Sequence, residues 1–495
     1  MKRIAYASPV NPAPSGISDY SEELLPFLGR YFDVTLYVED GLRPANAQLA
    51  RCLEVRPVGR LERDQRRRPY DAVLYHMGNS AAHMGIWRAM QRVPGVVVLH
   101  DFVLHHFMLQ YYATALGAVE RYRAEAERRY GADGARVAGL MMRGRFTEAA
   151  FDLPFCEDVL ATAHGVIAHS RFVLERAAAL RPELPAAHVP MGVPLPPSIP
   201  REEARARRGL PQDALLLASF GHINPYKRVE SVLRALRELR EAHPGARYIL
   251  VGSVSPSYDV RAAVERAGLS DAVTVTGYVG RAAFEDYVAA ADICVNLRHP
   301  TAGETSASLL RLLGAGRPTL VTATGSFAEL PPGVAAQVDP DYAEGDLILA
   351  YCRLLADRPE LAAAMGRAAR DYVAREHTLE AAAAGYARFL AQLHGWEEPR
   401  PERGALWEIA DCRLQITNYP MPSQTAAATT APVPHPATHS ALSAGANPPE
   451  RRSAIFNLQS SIAAAAAELG TTEDDRFVLE PLAQAIRELD PIPFN

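Results

Sequence analysis

The sequence has no Cys-x-x-Cys pair, no Gly-x-Gly-x-x-Gly and no apolar run of membrane-spanning length. Its five cysteines (Cys52, Cys156, Cys294, Cys352 and Cys412) are odd in number and scattered over 495 residues. That pattern argues against a disulfide framework or a cysteine zinc site, and for a reducing cytoplasm. A membrane helix needs about 20 consecutive apolar residues, so the chain reads as soluble, with peripheral contact at the inner face of a membrane left open. Met1-Lys2-Arg3 has the charge of a leader, but the apolar stretch behind it is short and runs into Pro9 and Pro12, against a signal peptide. An excess of basic residues is also missing. The net charge is −5, which gives no electrostatic footprint for nucleic acid. Without a dinucleotide fingerprint after the first strand, an oxidoreductase is disfavoured.

What is present is an ordinary globular composition, 48% hydrophobic and 22% charged, on a chain too long for one core. Short β-rich runs at 2–8, 33–38, 71–77, 95–100 and 165–169 alternate with amphipathic segments and read as buried parallel strands. The first such segment, 18–28, has Ser18 as its predicted N-cap. Residues 102–160 form a longer helical, aromatic insertion suited to shaping an acceptor pocket. A Pro-rich hinge at 189–200 follows, and then a second set of strands at 215–220, 246–251, 273–276, 293–297 and 318–321. The predicted class is α/β, with two Rossmann-like doubly wound domains, 1–195 and 204–395, facing a cleft at the carboxyl ends of their strands. Beyond them, 396–452 is rich in Ala, Pro, Thr and Ser and reads as a largely disordered linker. A short helical tail at 453–495 is a candidate arm for a protein partner.

Two stretches carry the chemistry. In 219–230 a buried strand ends, Gly221 turns the chain, and Lys227 precedes an amphipathic helix. Amides at a helix start together with one ammonium suit a diphosphate. In 296–318 a strand ends in Gly303-Glu304-Thr305-Ser306, which opens an apolar helix stopped by Gly316 and Pro318. Thr305, Ser306 and Ser308 cap that helix or face an anion. Either stretch alone reads as well as a solvated lysine or a plain cap; two such sites at strand ends of one domain favour a ligand.

In the order and spacing of these pieces the chain resembles the retaining GT-B glycosyltransferases of family four, which use nucleotide sugars. The resemblance rests on Gly221-His222-Ile223 and Lys227, Leu250-Val251-Gly252, Val273 to Gly277, Ala291-Asp292 and Pro300 to Glu304. It implies that Glu304 approaches the donor sugar and that Gly221, His222 and Lys227 meet its phosphates. The chain departs from the pattern in three ways. His222 stands where the family has an arginine, the loop after Glu304 is one residue short, and Arg311 stands where a second glutamate holds the ribose hydroxyls. An arginine donates but cannot accept, so donor recognition through Arg311 would differ from that of the family.

In the first half, the loop 8–20 resembles the family's glycine loop, with Gly16 letting backbone approach donor or acceptor. His100 and Asp101, at the end of the fourth strand, match its cleft histidine and neighbour. His105 on the next helix, with Asn79 and His83 after the third strand, are candidates to bind the acceptor hydroxyl. The histidines lack companions at zinc-ligand spacing. Asp339-Pro340-Asp341 has the form of a metal-binding pair but reads as a turn. The arginines of 121–145 read as a solvated face balanced by acids, or as a contact for anionic lipid.

The predicted activity is transfer of a hexose from a nucleotide-diphosphate sugar to a glycan, lipid-linked or other hydroxyl acceptor, with retention and without metal or cofactor. It would serve polysaccharide or glycoconjugate biosynthesis. The alternatives are a degenerate GT-B-like binding protein and a nucleotide-sugar epimerase of the same fold.

Overall fold

The apolar runs become strands covered on both faces, the condition under which parallel sheets form. The computed structural model describes residues 1–145 and 147–401. From residue 402 onward, the predicted linker and helical tail lie outside the described residues. The first sheet contains β1 (Lys2–Ala7), β2 (Phe32–Val38), β3 (Glu54–Pro57), β4 (Ala72–Met77), β5 (Val96–Leu99), β6 (Gly165–Ala168) and β7 (Ala186–His188). The second contains β8 (Leu216–Phe220), β9 (Arg247–Val251), β10 (Val273–Gly277), β11 (Ile293–Asn296), β12 (Thr319–Thr322) and β13 (Ala336–Val338). Their orders are β3-β2-β1-β4-β5-β6-β7 and β10-β9-β8-β11-β12-β13. In each sheet the order reverses beside the first strand, between β1 and β4 and between β8 and β11. At such a switch point the carboxyl-end loops part and leave room for a ligand.

Three strands are absent from the sequence reading: β3, β7 and β13, each of three or four residues at a sheet edge. The first helix also starts earlier than predicted. It spans Gly16–Leu28 with Ser15 as its cap, whose Oγ accepts the Ile17 amide at 3.2 Å. Ser18 is instead buried and donates to the Ala13 carbonyl at 2.8 Å. The insertion is helical and aromatic as expected, but Phe107, Tyr122 and Phe155 turn inward onto the first core. Of its arginines, Arg128 and Arg129 pair with Glu125, Arg129 also with Asp158, and Arg136 with Asp133. These pairs fit the balanced, solvated face. Among the described residues no helix is long and apolar enough to cross a membrane.

Contacts from several elements join the two domains. The last described helix, Leu379–His394, returns to the first core, where Tyr386 packs with Ile4, Tyr6 and Leu24. The hydroxyls of Tyr20 and Tyr386 meet at 3.2 Å. Glu329 accepts the amides of Arg171 and Phe172 at 2.9 and 2.5 Å, capping the Arg171–Leu180 helix across the interface. The Ala302 carbonyl accepts the amides of Phe102 and Val103 at 2.7 and 2.9 Å. Glu23, nearly buried on the first helix, places one carboxylate oxygen 2.7 Å from Arg281 and 2.6 Å from Arg311.

Removing one partner from a buried ion pair costs about 3 kcal/mol because the other charge is left unmatched. Glu23→Gln should therefore lower stability by about that amount and expose the 189–200 hinge to protease. Urea unfolding with limited proteolysis checks this; an unchanged midpoint and digestion pattern would show that the cluster does not hold the domains.

Candidate active site

The second sheet supplies most of the site. Gly221 follows β8 with φ +90°, a conformation that side chains other than glycine rarely adopt. The turn leads through Pro225–Lys227 into the helix Val229–Ala242. Lys227 folds back, 3% exposed, and its Nζ donates to the Phe220 carbonyl at 2.7 Å. A Cβ built on Gly221 would lie 3.8 Å from that Nζ and 3.7 Å from Ser308 Oγ. Gly221, Lys227 and Ser308 thus form one cradle. Burial and then the Arg298 guanidinium push the Lys227 ammonium well below the lysine range, with Glu304 opposing.

Glu304 lies on the loop between β11 and the helix Ala307–Gly314. Arg298 pairs with one of its carboxylate oxygens, and Thr301 donates to the other at 2.9 Å. Ser326 Oγ donates to its backbone carbonyl at 2.6 Å. Ser306 is the helix cap and accepts the Leu309 amide at 3.2 Å, so its side chain is spent on the helix. Thr305 Oγ1 is buried without a partner, as are Asn224 Oδ1, both polar atoms of Asn296, and His299 Nδ1. Buried polar atoms are seldom left unbonded, so this concentration around the ends of β8 and β11 marks where a polar ligand or water belongs. His222 stands aside: it is exposed, and its Nδ1 meets Ser253 Oγ at 3.0 Å.

The first sheet brings Asp101 to the same place. Its Oδ2 accepts the Asn79 amide at 2.8 Å. Burial, then the negative charge of Glu304, pushes its carboxyl up to about 7. His100 lies beneath, with its Nε2 2.8 Å from His76 Nδ1 and its ring 4.9 Å from that of His169. Its Nδ1 is buried without a partner. Gly16 opens the first helix on an exposed turn, with nothing within 4 Å of a built Cβ.

The acceptor candidates and Arg311 make contacts within the chain. Asn79 is taken up internally: its Oδ1 accepts the Phe107 amide at 2.9 Å, and its Nδ2 lies 3.3 Å from His106 Nδ1. His83 is fully buried and donates from Nδ1 to the His76 carbonyl at 2.9 Å. His105 donates to the Leu153 carbonyl at 3.0 Å and accepts from the Tyr122 hydroxyl, packing the insertion. Asn79 and His105 thus hold loops in place, whereas His83 Nε2 is buried without a partner, and a Cβ built on Gly78 would lie 3.0 Å from both it and Asp101 Oδ2. Arg311 pairs with Glu23 of the first domain and closes the interface. Asp341 accepts the Ala343 amide at 2.8 Å, which makes 339–341 a turn.

The residues absent from the sequence reading are Arg298, Thr301, Asn224 and Asn296. Asn296 did carry a signal, since it ends an otherwise apolar strand, Ile293-Cys294-Val295. Among the described residues, no group of three or more His, Cys, Asp or Glu is placed to hold a metal ion.

Residues 214–357 match the family described as "Glycosyl transferases group 1". A D-inositol 3-phosphate glycosyltransferase from Streptomyces avermitilis is 36% identical over 186 residues, 35% of this chain and 39% of the relative. The chain therefore spans well under half the length of that relative. Among solved structures, Anabaena HepE in complex with UDP-glucose superposes with a TM-score of 0.57 at 15% identity, covering 79% of this chain and all of that one. WaaG, a glycosyltransferase involved in lipopolysaccharide biosynthesis, gives 0.53 at 17% identity, over 79% of this chain and all of the other. The second domain carries the group 1 glycosyltransferase signature, and the chain as a whole has the GT-B fold of the family-four glycosyltransferases that its sequence resembles.

Proposed function

We propose that the chain transfers a sugar from a nucleotide-diphosphate donor to an acceptor hydroxyl, with retention, in the crevice between the sheets. The observation that carries this is the cradle of Gly221, Lys227 and Ser308, ringed by unbonded polar atoms at the ends of β8 and β11. Lys227 and Arg298 stand there beside the carboxylate of Glu304. A diphosphate would bring negative charge next to both cations and favour the charged form of Lys227. Its remaining oxygens would meet the Thr305 and Ser308 hydroxyls and the first amides of the Ala307–Gly314 helix. As the bond to the sugar breaks, the leaving diphosphate gains charge, so these contacts strengthen in the transition state. No metal clamp is part of this reading. Glu304, held by Arg298 and Thr301, would orient the sugar, with Asp101 supplying a second carboxyl beside it.

Retention is carried over from the resemblance, as same-face attack in which the leaving phosphate takes the acceptor's proton. With Asn79 and His105 engaged internally, His83, whose Nε2 has no partner and lies near Asp101, is the candidate for the acceptor hydroxyl. The name of the Streptomyces relative makes a polyol phosphate the first acceptor to assay. The rival reading, a binding protein, draws on Arg311 standing in place of the family's second glutamate and pairing with Glu23. Release of nucleoside diphosphate from any nucleotide sugar would exclude it.

Lys227→Ala should weaken transition-state binding by about 1.5–3 kcal/mol, the range for a hydrogen bond to a charged group, or roughly ten- to a hundred-fold in rate. Lys227→Met keeps the apolar stem and separates this loss from a packing defect. Thermal shifts with UDP, GDP, ADP, dTDP, CMP and NAD, followed by kinetics with the best nucleotide's sugars, read the effect. Wild-type kinetics in both variants would remove the diphosphate assignment.

Because the Asp101 carboxyl sits near 7, the folded chain keeps a proton that the unfolded chain, with a value of about 3.9, has already released. Wild-type stability from this group should fall as pH rises between those values and level off above. Asp101→Asn should lack that fall, so its advantage over wild type grows from about pH 5 to about pH 8. Urea midpoints at the two pH values measure it; a constant difference would contradict the assignment.

A further inference from the structure

At the other ends of the second domain's strands, away from the crevice, a groove of about 610 Å³ runs along the helix Pro359–Glu376. Its floor includes Leu215, Asp292 and Pro318, at the amino ends of β8, β11 and β12. The helix contributes Pro359, Ala362, Ala363, Gly366, Arg367 and Arg370, residues three and four apart that share one face. Gly366 sets the approach. A Cβ there would lie 2.2 Å from the Gly316 carbonyl oxygen, so the absence of a side chain lets the helix settle on the 314–318 turn. That contact brings Arg317 into the same groove as Arg367 and Arg370.

The charges do not balance. Asp292 is already shared by Arg201 at 2.9 Å, Arg205 at 2.7 Å and the Leu216 amide at 2.7 Å. His243 faces Asp357 at 3.6 Å, which leaves Asp213 at the exposed rim as the other acid of the lining. Arg317 reaches only the Ala291 carbonyl, at 3.4 Å, and its Nε is buried without a partner. Arg370 donates to the Gly314 carbonyl at 2.7 Å. Arg367 is exposed, and among the described residues no carboxylate pairs with any of these three. Other arginines of this domain do find carboxylates, as Arg207 and Arg208 do at Asp286 and Arg240 at Asp271.

We propose that this groove is a second binding site, which takes the phosphate group of a small phosphate ester. Arg317, Arg367 and Arg370 hold the phosphate oxygens, because guanidinium forks match that geometry. The body of the ester lies along Leu355, Ala362 and Ala363. The site is separate from the donor cradle, since Leu215 precedes β8 at the groove and Gly221 follows it at the crevice.

Isothermal titration of the full chain with glycerol 3-phosphate, at constant ionic strength, tests this. Saturable binding is expected in wild type and, unchanged, in Lys227→Ala. Arg367 has no intramolecular partner to lose, so Arg367→Gln should keep the wild-type melting temperature while weakening binding at least about ten-fold. No saturable heat in wild type over the millimolar range would overturn the proposal. So would binding that survives in Arg367→Gln, or binding lost in Lys227→Ala, which would place the ligand in the donor cradle.

Discussion

The site depends on one backbone contact between domains, the Ala302 carbonyl accepting the amides of Phe102 and Val103. It ties the loop after β5 to the loop after β11. The residues just before Phe102 are His100 and Asp101, and the second residue after Ala302 is Glu304. Joining the loops therefore sets Asp101 against Glu304, and that proximity is what lifts the Asp101 carboxyl beyond the effect of burial. The side-chain contacts at Glu23 and Glu329 hold the same closure from flanking positions. Neither sheet alone would bring the two acids together.

Within that closure the electrostatics are asymmetric. Lys227 lies buried with a carbonyl for company, next to Arg298, and of the nearby acids Glu304 is the one that acts on it. Such an arrangement is costly in the empty state because a buried cation without a matching anion loses its hydration. It is favourable for a site that must stabilise an anion as it forms. Glu23 shows the opposite arrangement: it lies between Arg281 and Arg311, and Glu285 also pairs with Arg281 at 3.1 Å, so two carboxylates match two arginines within the chain. The first suits a ligand and the second holds the domains together, although both stand at the same interface.

This contrast also explains how much of the site was legible in the sequence. Gly221, Lys227, Glu304 and Ser308 could be read because each sits at a strand end or helix start within a few residues of its structural context. Arg311 could not, since its partner lies 288 residues away and only the folded interface reveals it. The partners of His105 are hidden for the same reason: Leu153 and Tyr122, which meet both its nitrogens, come from other parts of the insertion. Apolar runs marked the central strands, some only four residues long but buried throughout, and missed β3, β7 and β13, which lie at sheet edges and are only partly buried. The fold class was readable because burial on both faces writes near-continuous apolar runs into parallel strands. The acceptor side was not, because a polar residue in a strand-end loop looks alike whether it binds a substrate or fixes the loop.

The most direct test is a crystal structure of the chain with the nucleoside diphosphate that stabilises it best. The account predicts the terminal phosphate within hydrogen-bonding distance of Lys227 Nζ and of the first amides of the Ala307–Gly314 helix, with Glu304 facing the place of the sugar. A nucleotide bound elsewhere, or with its phosphates turned away from Lys227, would contradict it.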